Sequence, residues 1–447
     1  MNKSTLALAV AVGVLAQQAG AAGFIEDSKA SVSSRTYYFD SDRREGASTP
    51  ANRQREAAEG LKFDYQSGFT QGVVGFGIDA QALVGIHLDG GKGHHPDNNS
   101  FNPSDTDQSA ESSWSRAAAN VKARFSKTEA HLGGALQPNM PILIANDSRV
   151  LPQTFEGGTI SSKEIDNVTF NLGQLEHATG RASSNSTGLA VATIGNAKES
   201  NQFRYAGADW KVTKDLMLQY YYANLEDYYK QNFLGLVHVY PIAPNQSFKT
   251  DLRYFDSSSD GKNGTAGYMF NNNNGYAKNV GEVDNKTWSA TFTYTLGGSA
   301  FLLGHQRVSD DGGFVFLNQG NVVDGRGRNE GAGGASFYSF TDATVGSFIR
   351  AGENTTYGQY SYDFASLGVP GLKASAAYLY GQDIKATNGV GDDLNERETD
   401  LRVDYVIQTG PLKGFGTTLR HGMYRGNTST LDEDQTRLIF NYTYSFM

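Results

Sequence analysis

Arginine and lysine side chains recur at every second position in several segments whose intervening positions are apolar. In one of them Lys122 and Arg124 flank Ala123. Successive side chains of a β-strand point to opposite faces, so the basic residues of such a segment share one face. Guanidinium groups offer paired N–H groups, which suit the binding of carboxylates. The same test selects Arg35, Lys122, Arg124, Lys249, Arg253, Arg402, Arg420 and Arg437.

The spacing of these basic residues allows their electrostatic fields to overlap. Alternate residues of a strand lie about 7 Å apart, which is less than the Debye length of about 8 Å at physiological salt. Each charge-assisted contact contributes about 1.5–3 kcal/mol, weak enough for a solute to pass from site to site. An alternative stays open, in which the basic residues pair with acids on the same faces and only pack a wall. The acids in question are Asp251, Asp400 and Asp404.

The elements that must carry these side chains are strands of a closed sheet. The chain has 447 residues, no Cys and a hydrophobic content of only 38%, while aromatic residues reach 12%. A soluble domain of this length normally has about 45–50% apolar residues. A transmembrane β-barrel explains the difference, because its interior is polar and its lipid-facing band is edged by aromatic residues. The sequence therefore predicts an all-β, antiparallel transmembrane β-barrel.

Turn residues set the number of strands. Short turns are predicted at Thr213–Asp215, Pro244-Asn245, Gly297-Gly298, Pro370-Gly371 and Gly410-Pro411. Longer polar stretches between them predict loops at Ser41–Glu59, Gly90–Ser113, Asp256–Asn285, Asp310–Ser336 and Gly389–Glu396. Extended over the chain, this spacing predicts about 16–18 strands, a size at which barrels enclose an aqueous channel, and we favour 18. Alternating aromatic residues near the C-terminus predict the strand that closes the barrel.

One segment departs from the strand pattern. Between Gly133 and Ser162, three prolines and several glycines are predicted to break any strand, while residues 142–144 offer an apolar anchor. A long, partly apolar loop of this kind is predicted to fold inward and narrow the lumen. Arg149 lies late in the segment, where it would face the constriction. The alternative is an arginine that only binds Asp147 or a backbone carbonyl.

The first residues predict export. Lys3 precedes an apolar run from Leu6 to Ala16, and Ala19-Gly20-Ala21 offers a cleavage site for a secretory signal peptide. The apolar run is too short to span a bilayer, and no later stretch approaches about 18 apolar residues. We therefore expect a signal peptide at residues 1–22 and a single β-barrel domain at residues 23–447.

Further classes of function lack support in the sequence. The net charge of −9 argues against nucleic acid as a partner. His87, His94 and His95 have no fixed ligand spacing, so neither a metal nor a cofactor is predicted. The chain has no phosphate-binding loop and no G-x-S-x-G elbow, so an enzyme is not predicted. A hydrolase stays possible in principle, because catalytic triads are defined in space and not by sequence order.

Several long stretches resemble the OprD family of substrate-specific outer-membrane porins. They are Gly23–Phe39, Asn146–Asp166, Leu218–His238, Thr250–Ser257, Tyr362–Leu372 and Val406–Gly414. The segment Leu136–Leu143 is similar to the OprE-like and aromatic-acid-type branch. The resemblance implies an 18-stranded barrel in the outer membrane of a Gram-negative bacterium, surrounded by lipid and lipopolysaccharide. It also implies a monomer or loose homotrimer.

The resemblance further implies a lumen narrowed by the third loop and a ladder of basic residues that guides small carboxylates. By position, Arg149 is similar to the family's constriction arginine, and Arg35 and Arg420 are similar to ladder residues. Asp342 is similar to a constriction aspartate of the seventh loop. Where some relatives carry two basic residues one apart on the penultimate strand, this chain has Thr418 and Arg420.

These observations favour a porin for passive diffusion of small water-soluble solutes, selective for small carboxylates. A general, weakly selective diffusion pore is the main competing hypothesis, in which the inward charges only keep the lumen hydrated. Two weaker hypotheses are a barrel enzyme such as a lipid hydrolase and a purely structural or adhesive barrel.

Overall fold

The computed structural model describes residues 23–44, 53–91, 93–96, 100–105, 107, 109–192, 197–319, 334–390 and 394–447. The predicted signal peptide at residues 1–22 lies outside the described residues. Within the described residues, no helix has the length and apolar character needed to cross a membrane.

Eighteen long antiparallel strands form one closed barrel, as the sequence predicts. Each strand pairs with its neighbours along the chain, and β1 pairs with β18, so that the sheet has no open edge. The strands are β1 (Lys29–Arg43), β2 (Arg53–Gln66), β3 (Val74–Asp89), β4 (Ser113–Phe125), β5 (Thr128–Leu136), β6 (Thr154–Ser162), β7 (Val168–Thr179), β8 (Phe203–Lys211), β9 (Leu216–Leu225), β10 (Tyr229–Ala243), β11 (Gln246–Ser259), β12 (Asp284–Leu296), β13 (Ser299–Val308), β14 (Asn354–Asp363), β15 (Leu372–Ile384), β16 (Leu394–Val406), β17 (Gly416–Gly426) and β18 (Glu433–Ser445).

Alternation along each strand separates a lipid-facing surface from a lumen-facing one. On β11 the side chains of Phe248 and Leu252 are exposed on the outside, whereas Asp251 and Arg253 are buried inside. Closure satisfies the ladder hydrogen bonds, which a strand edge in lipid could not do. The predicted alternation is therefore confirmed, and it places the basic residues of the strands on the lumenal face.

The two ends of the barrel differ in the length of their connections. Short turns join the strands at the end where the N-terminal segment lies, for example residues 126–127, 244–245 and 297–298. At the opposite end most connections are longer, with the exception of residues 226–228 between β9 and β10. We number the longer ones used below as loop 2 (90–112), loop 3 (137–153), loop 4 (180–202), loop 6 (260–283) and loop 7 (309–353).

Several predicted boundaries were wrong. Gly133 and Gly157 do not break strands: they face each other across β5 and β6, so that loop 3 spans only residues 137–153. A Cβ on Gly133 would lie 2.1 Å from the carbonyl of Ala119, so glycine permits the close approach of β4 and β5 there. Strands continue into three predicted loops, namely Ser41–Glu59, Asp256–Asn285 and Gly389–Glu396.

Loop 7 is longer than the predicted loop Asp310–Ser336, because it continues to Glu353. The predicted loop ended too early because its second part contains apolar residues such as Phe337, Phe348 and Ile349, which are typical of a strand. In the structure these residues are buried. These side chains are buried inside the barrel instead of pairing in the wall.

Apolar side chains from four loops form a core inside the lumen. Residues of loops 3, 4, 6 and 7 pack against inward aromatic residues of β6 to β11. Ile142 and Leu143 belong to this core, which confirms the predicted apolar anchor of loop 3. No residue of β16, β17 or β18 is part of it, so the basic residues of those strands lie on a different part of the wall.

Candidate functional site

Three arginines form a row across adjacent strands. In the strand register Arg402 of β16 lies opposite Arg420 of β17, which lies opposite Arg437 of β18. Directly opposed residues have Cβ atoms about 4.5–5.5 Å apart, and like charges at this distance destabilise a sheet. Like charges placed opposite each other in spite of this cost are typical of functional sites. This arginine row is the centre of the candidate site.

Five of the predicted basic residues have a carboxylate partner. They are Lys122 with Asp79 (2.7 Å), Lys249 and Arg253 with Asp251 (3.1 and 2.8 Å), Arg402 with Asp404 (2.6 Å), and Arg35 with Asp147 (2.7 Å). For these residues the ion pairing that was left open does occur. Their charge is balanced locally, so their contribution to the field in the lumen is reduced.

The remaining four predicted basic residues have no carboxylate partner within the described chain. Arg437 donates to Gln435 Oε1 at 2.6 Å and to the carbonyl of Thr344. Arg124 lies over the ring of Phe69, with 4.2 Å to the ring centre. The last two are Arg149 and Arg420. Four unbalanced cations therefore face the lumen, and two of them, Arg420 and Arg437, belong to the arginine row.

Loop 3 is seated on the inner wall by apolar packing. Val150 and Leu151 are buried in a cluster with Tyr37 and Phe39 of β1. On β2, a Cβ at Gly60 would lie 2.5 Å from the carbonyl oxygen of Val150, so only glycine admits the loop at this distance. Loop 3 therefore folds inward as predicted. Its position against the wall depends on Gly60, because any side chain there would overlap the loop.

Arg35 fixes the charged part of loop 3. It donates Nη1 and Nη2 to the Asp147 carboxylate at 2.7 and 3.1 Å. Its Nη1 also donates to the carbonyl of Arg149 at 2.7 Å, and its Nε donates to Asn441 at 3.1 Å. Arg35 therefore positions the backbone that carries Arg149.

Arg149 has few partners of its own. It donates Nη1 to the carbonyl of Ser148 at 3.1 Å and lies 5.0 Å from the ring centre of Phe39, while Asp147 is bound by Arg35. Its Nε is buried and has no hydrogen-bond acceptor in the described structure. Burial and the nearby charge of Arg437 lower the pKa of Arg149 to about 10, so it stays a cation at neutral pH.

Asp342 on loop 7 faces these cations. Its side chain is exposed in the lumen. Enclosure by the protein raises the pKa of the Asp342 carboxyl to about 6, although the charges of Arg181, Arg437 and Arg149 act in the opposite direction. One carboxylate and three guanidinium groups, from loops 3, 4 and 7 and strand β18, are thus brought together.

Two arginines of this region were not predicted. Arg116 lies on the same face of β4 as Lys122 and donates to the carbonyls of Gly180 and Ser183 at 2.8 Å. Strand alternation contains the signal that would have found it. Arg181 lies in loop 4, where no periodic pattern exists, and donates to the side chains of Asn146 and Ser148.

The predicted residues do not form one uninterrupted line. Lys122 and Arg124 lie on β4, and Lys249 and Arg253 lie on β11, both separated from the arginine row by intervening strands. Arg253 binds loop 7 instead, because it donates Nη1 to the carbonyl of Tyr338 at 3.1 Å. The basic residues are therefore distributed along the wall, with their densest group around loops 3 and 7.

The described residues contain no group of three His, Asp or Glu side chains arranged to hold a metal ion. His95 lies 2.7 Å from Glu56 and 2.8 Å from Ser104, in contacts that tie loop 2 to the wall.

The closed barrel, its lipid-facing outer surface and the loops folded into its lumen define a diffusion channel of the outer membrane. The model of the family described as outer membrane porin, OprD family, matches residues 22–446, and the chain belongs to this family. It is thus a protein of the outer membrane of a Gram-negative bacterium, in a family of channels for small solutes.

Individual relatives agree with this assignment. The chain is 33% identical to Porin D of Pseudomonas aeruginosa over 476 residues, covering 100% of this chain and 99% of that protein. It is 42% identical to the crystal structure of Pseudomonas aeruginosa OccK8 (OprE), with a TM-score of 0.83 and coverage of 95% of this chain and 100% of that one. The crystal structure of Pseudomonas aeruginosa OpdK with vanillate is 29% identical, with a TM-score of 0.80 and the same coverage.

Proposed function

We propose that this porin selects small carboxylates and guides them past the constriction by its unbalanced arginines. The observation that carries the proposal is the cross-strand row of Arg402, Arg420 and Arg437, of which the last two have no carboxylate partner within the described residues. Together with Arg149, these two arginines supply lumenal cations that no carboxylate within the described residues balances. No catalytic role is proposed for any residue.

Guanidinium geometry supports a carboxylate over other anions. Each guanidinium presents two parallel N–H groups that match the two oxygens of a carboxylate. Arg149 makes one hydrogen bond within the described residues, from Nη1 to the carbonyl of Ser148, so its second Nη group remains a donor for a passing solute. A solute that moves between several such contacts is held at none of them, which conduction requires.

The relative OpdK supports the same chemistry, because its crystal structure contains vanillate, an aromatic carboxylate. Each barrel encloses its own lumen, so the proposal applies equally to a monomer and to a loose homotrimer. Outer-membrane lipid and lipopolysaccharide would contact only the outer face.

A general, weakly selective pore is the second candidate function. The observation that favours it is the ion pairing of five of the nine predicted basic residues, Lys122 among them. If ion pairing leaves the lumen without an excess of positive charge, cations and anions will pass at nearly equal rates.

The reversal potential in a planar bilayer under a salt gradient distinguishes these candidates. We expect anion preference in the unmodified protein and a severalfold lower anion-to-cation permeability ratio in Arg420→Gln and in Arg149→Gln. Arg204→Gln is the matched control, because Arg204 is exposed on the outer face of β8. A permeability ratio near one, unchanged by either lumenal substitution, would establish the general pore.

Carboxylate selectivity needs a second measurement, since anion preference alone does not identify the solute class. Proteoliposome swelling compares uptake of a small carboxylate with uptake of a neutral sugar of equal size. We expect faster swelling with the carboxylate and loss of this advantage in Arg420→Gln. Equal swelling rates in the unmodified protein would contradict the proposal.

A further inference from the structure

The tip of loop 7, which we define as residues 341–346, is bound to the barrel wall through its backbone N–H groups. Val345 and Gly346 donate to the two carboxylate oxygens of Glu398 at 2.8 and 2.6 Å. Thr344 donates to Asp400 Oδ2 at 3.2 Å. Three consecutive N–H groups thus point at two carboxylates of β16, an arrangement that binds anions well.

The wall is shaped to receive this tip. A Cβ on Gly422 of β17 would lie 2.9 Å from Cβ of Thr344, and a Cβ on Gly346 would lie 3.0 Å from the ring of Tyr424. Arg437 also donates to the carbonyl of Thr344. The loop-7 tip therefore lies in a notch on β16 to β18, beside the arginine row.

The base of the tip is attached to β13, which is separated from β16 by β14 and β15. Gln306 of β13 donates Nε2 to Thr341 Oγ1 at 3.0 Å and to the carbonyl of Phe348 at 2.8 Å. It also accepts a hydrogen bond from Ser339 Oγ at 2.6 Å. The segment consequently extends along the inner wall from β13 to β16, where Phe348 packs against Tyr357 and Leu379 of the intervening strands, and Asp342 lies between the two attachments.

The barrel wall alone does not account for the presence of two carboxylates, Glu398 and Asp400, on the inner face of β16. Glu398 is fully buried and, like Asp400, has no cationic partner within the described residues. A buried carboxylate without a cation is tolerated only when hydrogen bonds replace its hydration. The strand ladder does not require these side chains, whereas the loop-7 tip supplies donors to both oxygens of Glu398 and to Oδ2 of Asp400.

We propose that Glu398 and Asp400 are positioning residues, which hold the loop-7 tip closed against the wall and thereby fix Asp342 at the constriction. Release of the tip gives a wider state in which Asp342 no longer faces Arg149 and Arg437. The part of this inference that concerns ion preference rests on the proposed function. The attachment itself and its effect on pore width do not.

The first test is Glu398→Gln, which keeps the size of the side chain but replaces one acceptor oxygen by a donor that faces a backbone N–H. In symmetrical salt we expect transitions to a second, higher conductance level, with dwell times in the unmodified level shortened about tenfold. Glu59→Gln is the control, because the partners of Glu59 within the described residues are the hydroxyls of Ser34 and Thr36 on the outer face.

A cross-link tests whether the effect arises from the tip and not from general weakening. The chain has no Cys, so Gly422→Cys with Thr344→Cys introduces the only pair. Their Cβ positions are close enough for a disulfide after a small shift. Added to Glu398→Gln, the oxidised pair should restore the single conductance level, and reduction should bring the second level back. Each cysteine alone should restore nothing.

Folding is checked by the heat-dependent gel mobility of each variant, since a closed barrel resists detergent until it is heated. Unmodified dwell times in folded Glu398→Gln would overturn the proposal, as would a second level that persists in the oxidised cross-linked protein. Dwell times in symmetrical salt do not report ion preference. Failure of the carboxylate proposal, seen in Arg420→Gln, is therefore distinguishable from failure of this one.

Discussion

Loops 3 and 7 narrow the same lumen but are anchored by opposite chemistry. Loop 3 is held through its carbonyl and carboxylate oxygens, which accept hydrogen bonds from Arg35 on β1. The tip of loop 7 is held mainly through its N–H groups, which donate to Glu398 and Asp400 on β16. The side chain each loop then presents has the sign of its anchors: Arg149 on loop 3 and Asp342 on loop 7.

One wall residue both fixes a loop and contributes to the field in the lumen. Arg437 donates to the carbonyl of Thr344 and has no carboxylate partner within the described residues, so it keeps its full charge. Arg35 differs, because its charge is balanced by Asp147 of the loop that it holds. Backbone anchoring therefore allows Arg437 to hold the loop-7 tip and act on a solute at once.

The two loops also differ in apolar support. Loop 3 buries Val150 and Leu151 against the wall and Ile142 and Leu143 in the interior core. The loop-7 tip contacts the wall mainly through polar groups, with Ala343 partly buried beside it. Since burial of a Leu or Ile side chain contributes about 1.5–3 kcal/mol, loop 3 is the more firmly held of the two.

The largest effect is expected from Gly60→Ala, which breaks the seat of loop 3. Its Cβ would meet the carbonyl of Val150 at 2.5 Å, and overpacking of this kind costs about 1–3 kcal/mol. We expect displacement of loop 3, a higher single-channel conductance and a lower Tm. Gly358→Ala is the matched control, because its Cβ would lie 3.6 Å from its nearest neighbour. Equal conductance in the two variants would mean that loop 3 does not depend on this contact.

An intermediate effect is expected from Arg35, whose loss removes the polar anchor of loop 3 and leaves its apolar packing. The Asp147 carboxylate is half exposed, so solvent screening reduces the contribution of the contact to about 1–2 kcal/mol. Single-channel recordings of Arg35→Gln should show more current noise and a lower anion preference. Arg35→Lys keeps the charge but not the paired donors, so it should raise the noise alone. Current noise equal to that of the unmodified protein in both variants would show that Arg35 does not anchor loop 3.

A smaller effect is expected from Asp342→Asn, which removes the charge of loop 7 and leaves that of loop 3. A unit charge about 7 Å away in water contributes about 0.6 kcal/mol, so anion preference should rise about two- to threefold at pH 8. Because the pKa of Asp342 is raised to about 6, its carboxyl becomes neutral below that pH. Anion preference of the unmodified protein should therefore increase as pH falls through about 6. Reversal potentials that change equally in Asp342→Asn would assign the titration to another group.

Local patterns in the sequence predicted most of the barrel and the lumenal position of its basic residues. Alternation predicted which face Arg253 and Arg420 occupy, because side chains two residues apart on a strand point to the same face. It did not show that Arg253 is paired and Arg420 is not. Arg253 binds Asp251 of its own strand, whereas the carboxylate of Asp404, which lies near Arg420, is bound by Arg402. Arg181 escaped prediction because loop conformation follows no period.

Short-range periodicity, turn residues and apolar content were enough to establish the class of fold, the lumenal face of each strand and the inward third loop. Which cations stay unbalanced, and how the loops are held, could be established only from the folded barrel. Those outcomes depend on contacts such as Arg35 with Asp147 and Glu398 with Gly346, which join residues far apart in the chain. A hydrogen bond of this kind is set by positions to within about 0.5 Å, and closure of the whole barrel fixes those positions.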